Sequence, residues 1–460
     1  MTELFDLLGA GAVGTSPEDL AAHAHDWFPV ALLRDRRGEP GQGPSAVVRP
    51  PDAAAVSTLL EWAQETGTPV VPFGGGSSVV RGIEPSGAVV IDLERLNAIS
   101  EVDEKSRLVT AGAGVTGPEL RAHLAERGYL LGHEPQSIDI STVGGWLATR
   151  ACGQLSARYG GIEDLVAGLE AVLPGGRVVR TKTAPRRSTG PDLAGLMIGS
   201  EGALGIVTEA TLRVSPLPTE RADLCVRFEH MTEGVKACRL LAQSDLAPTM
   251  VRLYDPEDAT LFLRNHPDEP PGPLLLTSFD GTDGVTRRDR AAGLMDGTTG
   301  PAALVAHWWE HRNDAVEEFR KVMAGEGPLG PHGIVDTIEV AGTWSVLRDL
   351  YHSLKDALSE VAMVVGCHLS HVYPDGACLY FTMGSTCESD EQAEEVDARW
   401  WAVAMRTTLD SGGTISHHHG IGRARAGWIE EELGEWFEVL RQIKKAIDPK
   451  GIMNPGVMGL

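Results

Sequence analysis

Three histidines stand side by side in Ser416-His417-His418-His419-Gly420-Ile421-Gly422. An unperturbed imidazole titrates near ~6.5, so such a cluster can carry protons, donate to anions or ligate a metal. In an extended segment side chains alternate, which would put His417 and His419 on one face and turn His418 away. Gly420 and Gly422 would let the chain pass close to a flat ring. A solvated polar loop is the plain alternative. Tyr380, in Leu379-Tyr380-Phe381, reads by itself as a core tyrosine with a satisfied hydroxyl. Arg252 sits mid-strand, where an arginine snorkels or pairs unless it meets an anionic ligand. His368 and His371 are three apart in the apolar stretch Val364–Tyr373. That spacing could ligate a metal, but satisfied core histidines are the simpler reading, and no metal is assigned.

Glycine-rich segments form a second signal. Pro72-Phe73-Gly74-Gly75-Gly76-Ser77-Ser78 ends an apolar run, so bare backbone N–H groups could converge there on a phosphate. It is neither the dinucleotide G-x-G-x-x-G nor a P-loop, and a simple glycine-rich turn remains the alternative. Gly132 to Ala151 holds a hydroxyl pair, Ser141-Thr142, and a glycine pair, Gly144-Gly145, while Gly199-Ser200-Glu201-Gly202-Ala203-Leu204-Gly205-Ile206-Val207 is a glycine-spaced entry to a strand.

These ordered segments, spanning about 45–217, together with the Asn454-Pro455-Gly456 tail, resemble the FAD-linked oxidase superfamily of vanillyl-alcohol oxidase and p-cresol methylhydroxylase. Within it the chain is most similar to the alkylglycerone-phosphate synthases. That likeness is carried by His133-Glu134-Pro135, Ser141 to Ala151, Tyr159-Gly160 with Ile162 to Leu165, Val251-Arg252-Leu253, Gly376 to Phe381, and Ser416 to Gly422. The resemblance implies FAD contacts at Pro72, Phe73, Gly74, Gly75, Gly76, Ser77 and Ser78, and at Gln136, Ser137, Ile138, Asp139, Ile140, Ser141 and Thr142. It implies further contacts at Ala148, Thr149, Arg150 and Ala151, and at Glu201, Gly202, Ala203, Leu204, Gly205, Ile206 and Val207. Tyr380 is implied as acid/base residue, with His133, Arg252, His417, His418 and His419 as active-site groups. In the family mechanism flavin N5 attacks a carbon bearing a leaving group and a second nucleophile replaces that group, exchanging acyl for alkoxy with no net redox change.

Departures from the family pattern matter. Ser77-Ser78-Val79 excludes a histidyl flavin link at the phosphate loop, so the expected FAD is non-covalent. Gln136 replaces the synthases' aspartate, and the phosphate-binding arginine has no clear counterpart beside Gly325 to Gly330. Arg312, Arg320 and Lys321 are the nearest candidates, with Arg252 and Arg312 taken as substrate contacts. The rival expectation is an FAD-linked oxidoreductase acting on a 2-hydroxy acid or other alcohol.

Positioning these residues takes 460 of them, more than one core can organise. The chain is 42% hydrophobic with 54 glycines and a net charge of −24. That balance argues against a nucleic-acid surface and for a small-molecule partner met in a local pocket. No apolar run approaches a transmembrane span, and residues 1–33 lack the basic start of a secretory signal, so a cytoplasmic protein is expected, with a homodimer left open. Six cysteines without a Cys-x-x-Cys pair indicate free thiols.

The expected class is α+β: a two-part FAD-binding domain of the p-cresol methylhydroxylase type and a ferredoxin-like substrate cap. The divisions are an arm at 1–44, an FAD domain at 45–217, a cap at 218–425 and a returning C-terminal segment at 426–460. A β-α-β unit is expected from Ser45–Val48 through Ala53–Gln64 to Thr68–Phe73, and a hairpin at Gly175-Gly176. The cap reads as strand Ala222–Phe228, helix Glu233–Leu241, strands Thr249–Tyr254 and Leu274–Phe279, helix Arg287–Met295 and strand Ala302–Ala306, and is then extended by Val335–Met383.

Overall fold

A computed structural model describes residues 2–263 and 272–460. Its first β-α-β unit forms as the apolar spacing requires. Helix Ala53–Thr66 starts where Asp52 accepts the Ala55 N–H at 2.8 Å, and ends at Gly67 with φ 71°. It buries Val56, Leu59, Leu60 and Ala63, a stripe with helical spacing. Strands Ala46–Val48 and Val70–Phe73 flank Val89–Asp92 in a parallel sheet, and Val13–Gly14 adds an antiparallel edge. A second, antiparallel sheet runs Leu108–Gly112, Ile206–Arg213, Val166–Val172, Val178–Arg180, its last hairpin turned by Gly175 and Gly176 at φ 75° and 80°.

The third sheet has seven antiparallel strands in the order Thr298–Thr299, Arg221–Arg227, Leu274–Asp280, Met250–Tyr254, Val364–Ser370, Gly376–Ser385, Ile334–Thr343. The first part is the 4-1-3-2 order of a ferredoxin-like unit, in agreement with the split pattern read from the sequence. Two elements differ: helix Pro256–Leu263 stands between the second and third strands, where none was expected, and the expected strand Ala302–Ala306 lies at the start of helix Ala303–His311, so that only Thr298–Thr299 fills the sheet edge. Leu304, Val305 and Trp308 are buried at helical spacing, and a five-residue window was too short to tell that from a strand. The second part, Ile334–Thr343, helix Leu347–Ser359, Val364–Ser370, Gly376–Ser385 and helix Asp390–Asp410, has the β-α-β-β-α order without the helix Pro256–Leu263 that the first part inserts between its second and third strands. The two units join strand to strand where Tyr254 lies opposite His368.

The first 44 residues tie both regions together. The Trp27 N–H donates to Ser78 O at 2.8 Å, and the buried Asp26 carboxylate accepts the Gly82 N–H at 2.7 Å. Helix Pro29–Arg36 then reaches the cap, where Arg36 pairs with Asp390 at 2.6 Å. The tail returns the other way. Asn454 donates its amide to Gly82 O at 3.1 Å and to Glu201 O at 2.8 Å. No helix among the described residues is long and apolar enough to cross a membrane.

Candidate active site

A cavity of about 1020 Å³ lies between the glycine loops and the seven-stranded sheet. Its position follows from register. Glu339, Tyr380, His368 and Tyr254 lie directly opposite one another across four neighbouring strands, so all point to one face, and Arg252 joins them two residues before Tyr254. The opposite wall is backbone. A Cβ on Gly75 would come 1.9 Å from Ile140 O, one on Gly74 would come 2.5 Å from the Thr142 hydroxyl, and one on Gly202 would meet Pro72 at 2.3 Å. The loops at 72–78, 140–145 and 201–207 therefore stack with no room for side chains, leaving a bare polar cradle suited to a phosphate-linked ligand.

Pro72 to Ser78, Gln136, Ser137, Ile140, Ser141, Thr142, Ala148, Thr149, Ala151, Glu201, Gly202, Gly205, Ile206 and Val207 line the cavity, as do Arg252, Arg312, Tyr380, His418 and His419. The other sequence-derived residues sit elsewhere. Ile138 and Leu204 pack in the core of the second sheet, and Ala203 packs against Ile429 and Phe437. Asp139 is exposed, and Arg150 caps its helix and donates to Gly195 O and Ile198 O. His133 is buried behind Trp146 with ring centroids 4.9 Å apart, both its nitrogens lack a hydrogen-bond partner, and burial pushes its pKa down to about 3. Of the proposed phosphate arginines, Arg320 packs on the Trp27 ring outside the cavity wall, while Arg312 stacks on Trp309 and lies 3.6 Å from Glu134.

The histidine segment does not alternate as an extended chain would. Glu339, with no solvent exposure, accepts the backbone N–H groups of His417, of His418 at 3.3 Å and of His419 at 3.0 Å. Three successive N–H groups thus converge on one carboxylate, and His418 and His419 both face the cavity. His417 turns to Tyr373, its Nε2 3.0 Å from the hydroxyl, and its Nδ1 lies 3.0 Å from His418 Nδ1. Arg425, also without exposure, closes the cluster on Glu339 at 3.0 Å. Burial opposes ionisation of Glu339, but Arg425, the neighbouring imidazoles and these N–H groups outweigh it and hold its pKa below the ordinary value. Neither Glu339 nor Arg425 was singled out from the sequence, where the available signal was an acid inside the apolar strand Ile334–Thr343.

Tyr380 stacks on His368 at 4.7 Å and meets the His419 ring edge-on at 5.5 Å. Burial pushes its phenol up to about 12 and pushes His419 down to about 4. At neutral pH the site thus holds a protonated phenol beside neutral imidazoles, an acid and bases whose environments drive their pKa values apart. His368 is oriented from both sides. Arg252 can only donate, at 2.7 Å to Nε2, so the proton sits on Nδ1 and goes to Asp258 at 2.8 Å. His371 bonds Ser156 at 2.7 Å, and among the described residues its neighbouring ligand atoms are those of His417 and His418, not His368.

Two family comparisons cover most of the chain: an FAD binding domain matches residues 44–182, and the C-terminal domain of FAD linked oxidases matches 217–458. An FAD-linked oxidoreductase of Escherichia coli strain K12, itself uncharacterized, is 32% identical over 90% of this chain and 89% of its own length. The alkyldihydroxyacetonephosphate synthase of Dictyostelium discoideum is 29% identical over 92% and 74%, and the mitochondrial D-lactate dehydrogenase (cytochrome) of Arabidopsis thaliana is 28% identical over 90% and 73%. Among solved structures, an alkyldihydroxyacetonephosphate synthase superposes with a TM-score of 0.80 at 26% identity, covering 99% of this chain and 85% of that one. With its glycine cradle facing a histidine-lined sheet, and with both domains of the family matched, the chain belongs to the FAD-linked oxidases.

Proposed function

We propose that this enzyme exchanges an acyl for an alkoxy group at a small-molecule carbon, as the alkylglycerone-phosphate synthases do. The observation that carries the reading is the cavity's make-up: Tyr380, His418 and His419 at the junction with the glycine loops, and an apolar extension along Phe319, Val322, Leu329, Val335 and Met383 that would accept an alkyl or acyl tail. FAD would be held without a covalent bond by the cavity-lining residues of the loops at 72–78, 136–142, 148–151 and 201–207, with Ala203, Leu204 and Ile138 supporting from the cores behind and Asp139 and Arg150 taking no part. When bound, it supplies a ring that can take up and return an electron pair. Tyr380 would give its proton to the departing oxygen, and the neutral imidazoles of His418 and His419 would accept the proton of the entering alcohol. Arg252 and Arg312, the cationic side chains in the described cavity wall, would pair an anionic group of the substrate.

One observation favours the rival, an oxidoreductase acting on a 2-hydroxy acid. The Arg252 guanidinium is held by His368, which Asp258 orients, while the buried Arg252 Nε has no partner, which suits a compact carboxylate. Anaerobic mixing with candidate substrates separates the two. Exchange should proceed with no acceptor and no net bleaching of flavin absorbance. Bleaching that persists until oxygen or a dye is added would exclude exchange in favour of hydride removal.

A further inference from the structure

The Glu339 carboxylate is engaged by five donors, all from the segment between Ser416 and Arg425. Its oxygens accept from the Ser416 hydroxyl at 3.0 Å, from the N–H groups of His417, His418 and His419, and from Arg425 at 3.0 Å. Arg425 in turn donates to Gly420 O at 2.7 Å and to Glu339 O at 3.1 Å, and its guanidinium lies over the Trp401 ring at 5.0 Å. One fully buried acid thus contacts four successive residues, Ser416 to His419. The strand that carries it also carries Val335 and Thr337 on the cavity wall, and it pairs Glu339 directly with Tyr380.

A buried ion pair is weak evidence for stability, because apolar residues of similar volume serve a core as well or better. Here the acid faces three consecutive peptide N–H groups of the segment that lines the cavity, and those bonds set side-chain direction. We propose that Glu339 is a positioning residue: its carboxylate curls the His417–His419 backbone so that the His418 and His419 imidazoles meet Tyr380 over the cavity. The inference rests on the catalytic reading of those imidazoles given above.

Glu339→Gln tests it, because the amide keeps the side chain's size but has one acceptor oxygen in place of two, and its NH₂ would face the loop's N–H donors. In the FAD-loaded enzyme we expect kcat to fall by about 100-fold, the usual penalty for a misplacement near 1 Å. KM and FAD occupancy should stay near wild type. A crystal structure of that variant should show residues 416–420 displaced while the sheet is unchanged.

The single variant leaves Arg425 buried without a counter-charge and could fail to fold, so the double variant Glu339→Gln/Arg425→Met removes both charges. Positioning requires the double variant to fold, bind FAD and still turn over slowly. Recovery of wild-type kcat in the double variant would show that the pair matters only as a buried charge balance, and would overturn the proposal. An undisplaced loop with unchanged kcat in Glu339→Gln would overturn it as well. Should Tyr380→Phe and His419→Ala both keep wild-type turnover, the catalytic reading falls, while the loop's position in Glu339→Gln still decides what Glu339 does.

Discussion

At the scale of single residues, Tyr380 and His419 differ from His133 in what they face. Tyr380→Phe removes only a hydroxyl, so FAD content and fold should persist while turnover drops ~10²–10⁴-fold, the range for lost acid/base catalysis. His419→Ala should lose activity in the same way, and turnover normalised to flavin absorbance checks both. His133 lies behind Trp146 and outside the cavity wall, so His133→Phe should leave turnover per FAD nearly unchanged. Its measurable effect belongs to stability. With a pKa of about 3 against an ordinary 6.5, the folded imidazole binds a proton less readily than the unfolded one. Stability from this group is therefore complete above 6.5 and is lost as pH falls toward 3, by up to about 1.4 kcal/mol per unit. His133→Phe should flatten the melting temperature between pH 7 and pH 5 relative to wild type. A variant that tracks wild type over that range would show that His133 is not buried neutral. Flavin attachment is also a residue question. No histidine lies in 72–78, and burial raises the Cys152 thiol of the cavity wall to about 11, so no attacking thiolate is present at neutral pH. Acid precipitation should release all the yellow colour, and colour in the washed pellet would refute non-covalent binding.

Elements decide which of these residues can meet. The row Tyr254, His368, Tyr380, Glu339 exists because antiparallel register brings four strands' inward positions opposite one another. Period-two alternation within each strand was readable from the sequence, but which strands pair, and in which register, was not, with partners 12, 41 and 114 residues apart. The glycine loops were readable as a cradle. That Gly75 faces Ile140 O was not, because it depends on two loops meeting. Gly75→Asp places a Cβ into that carbonyl and a negative charge among the cradle's N–H groups, so FAD binding should be abolished. Full flavin occupancy in that variant would show that the loop does not hold the cofactor.

For the whole molecule, the first 44 residues join the glycine loops to the cap. Asp26 accepts from Phe28, Gly82 and Ile83, although burial raises its pKa to about 6. Asp26→Ala strips those N–H groups of their partner beside Ser78, so FAD should bind at least ~10-fold more weakly, since each buried donor left unpaired costs about 1–3 kcal/mol. Titration of the apoprotein with FAD checks this, and an unchanged Kd would remove the arm from the cofactor site. The cap's two units, joined at their second strands, had no repeat visible in sequence, since packing faces need only apolar side chains of fitting volume and not identical ones. What the amino-acid sequence alone determined is local: the helix stripes, the turn glycines, the bare loops and, through the motif order, the FAD-linked family. Tertiary structure alone decided that Glu339 meets the backbone N–H groups of the histidine segment, that His418 joins His419 over the cavity, and that His133 stays behind Trp146. The physical reason is that a buried charge takes its meaning from partners brought from far along the chain, and Glu339 and Arg425 stand 86 residues apart.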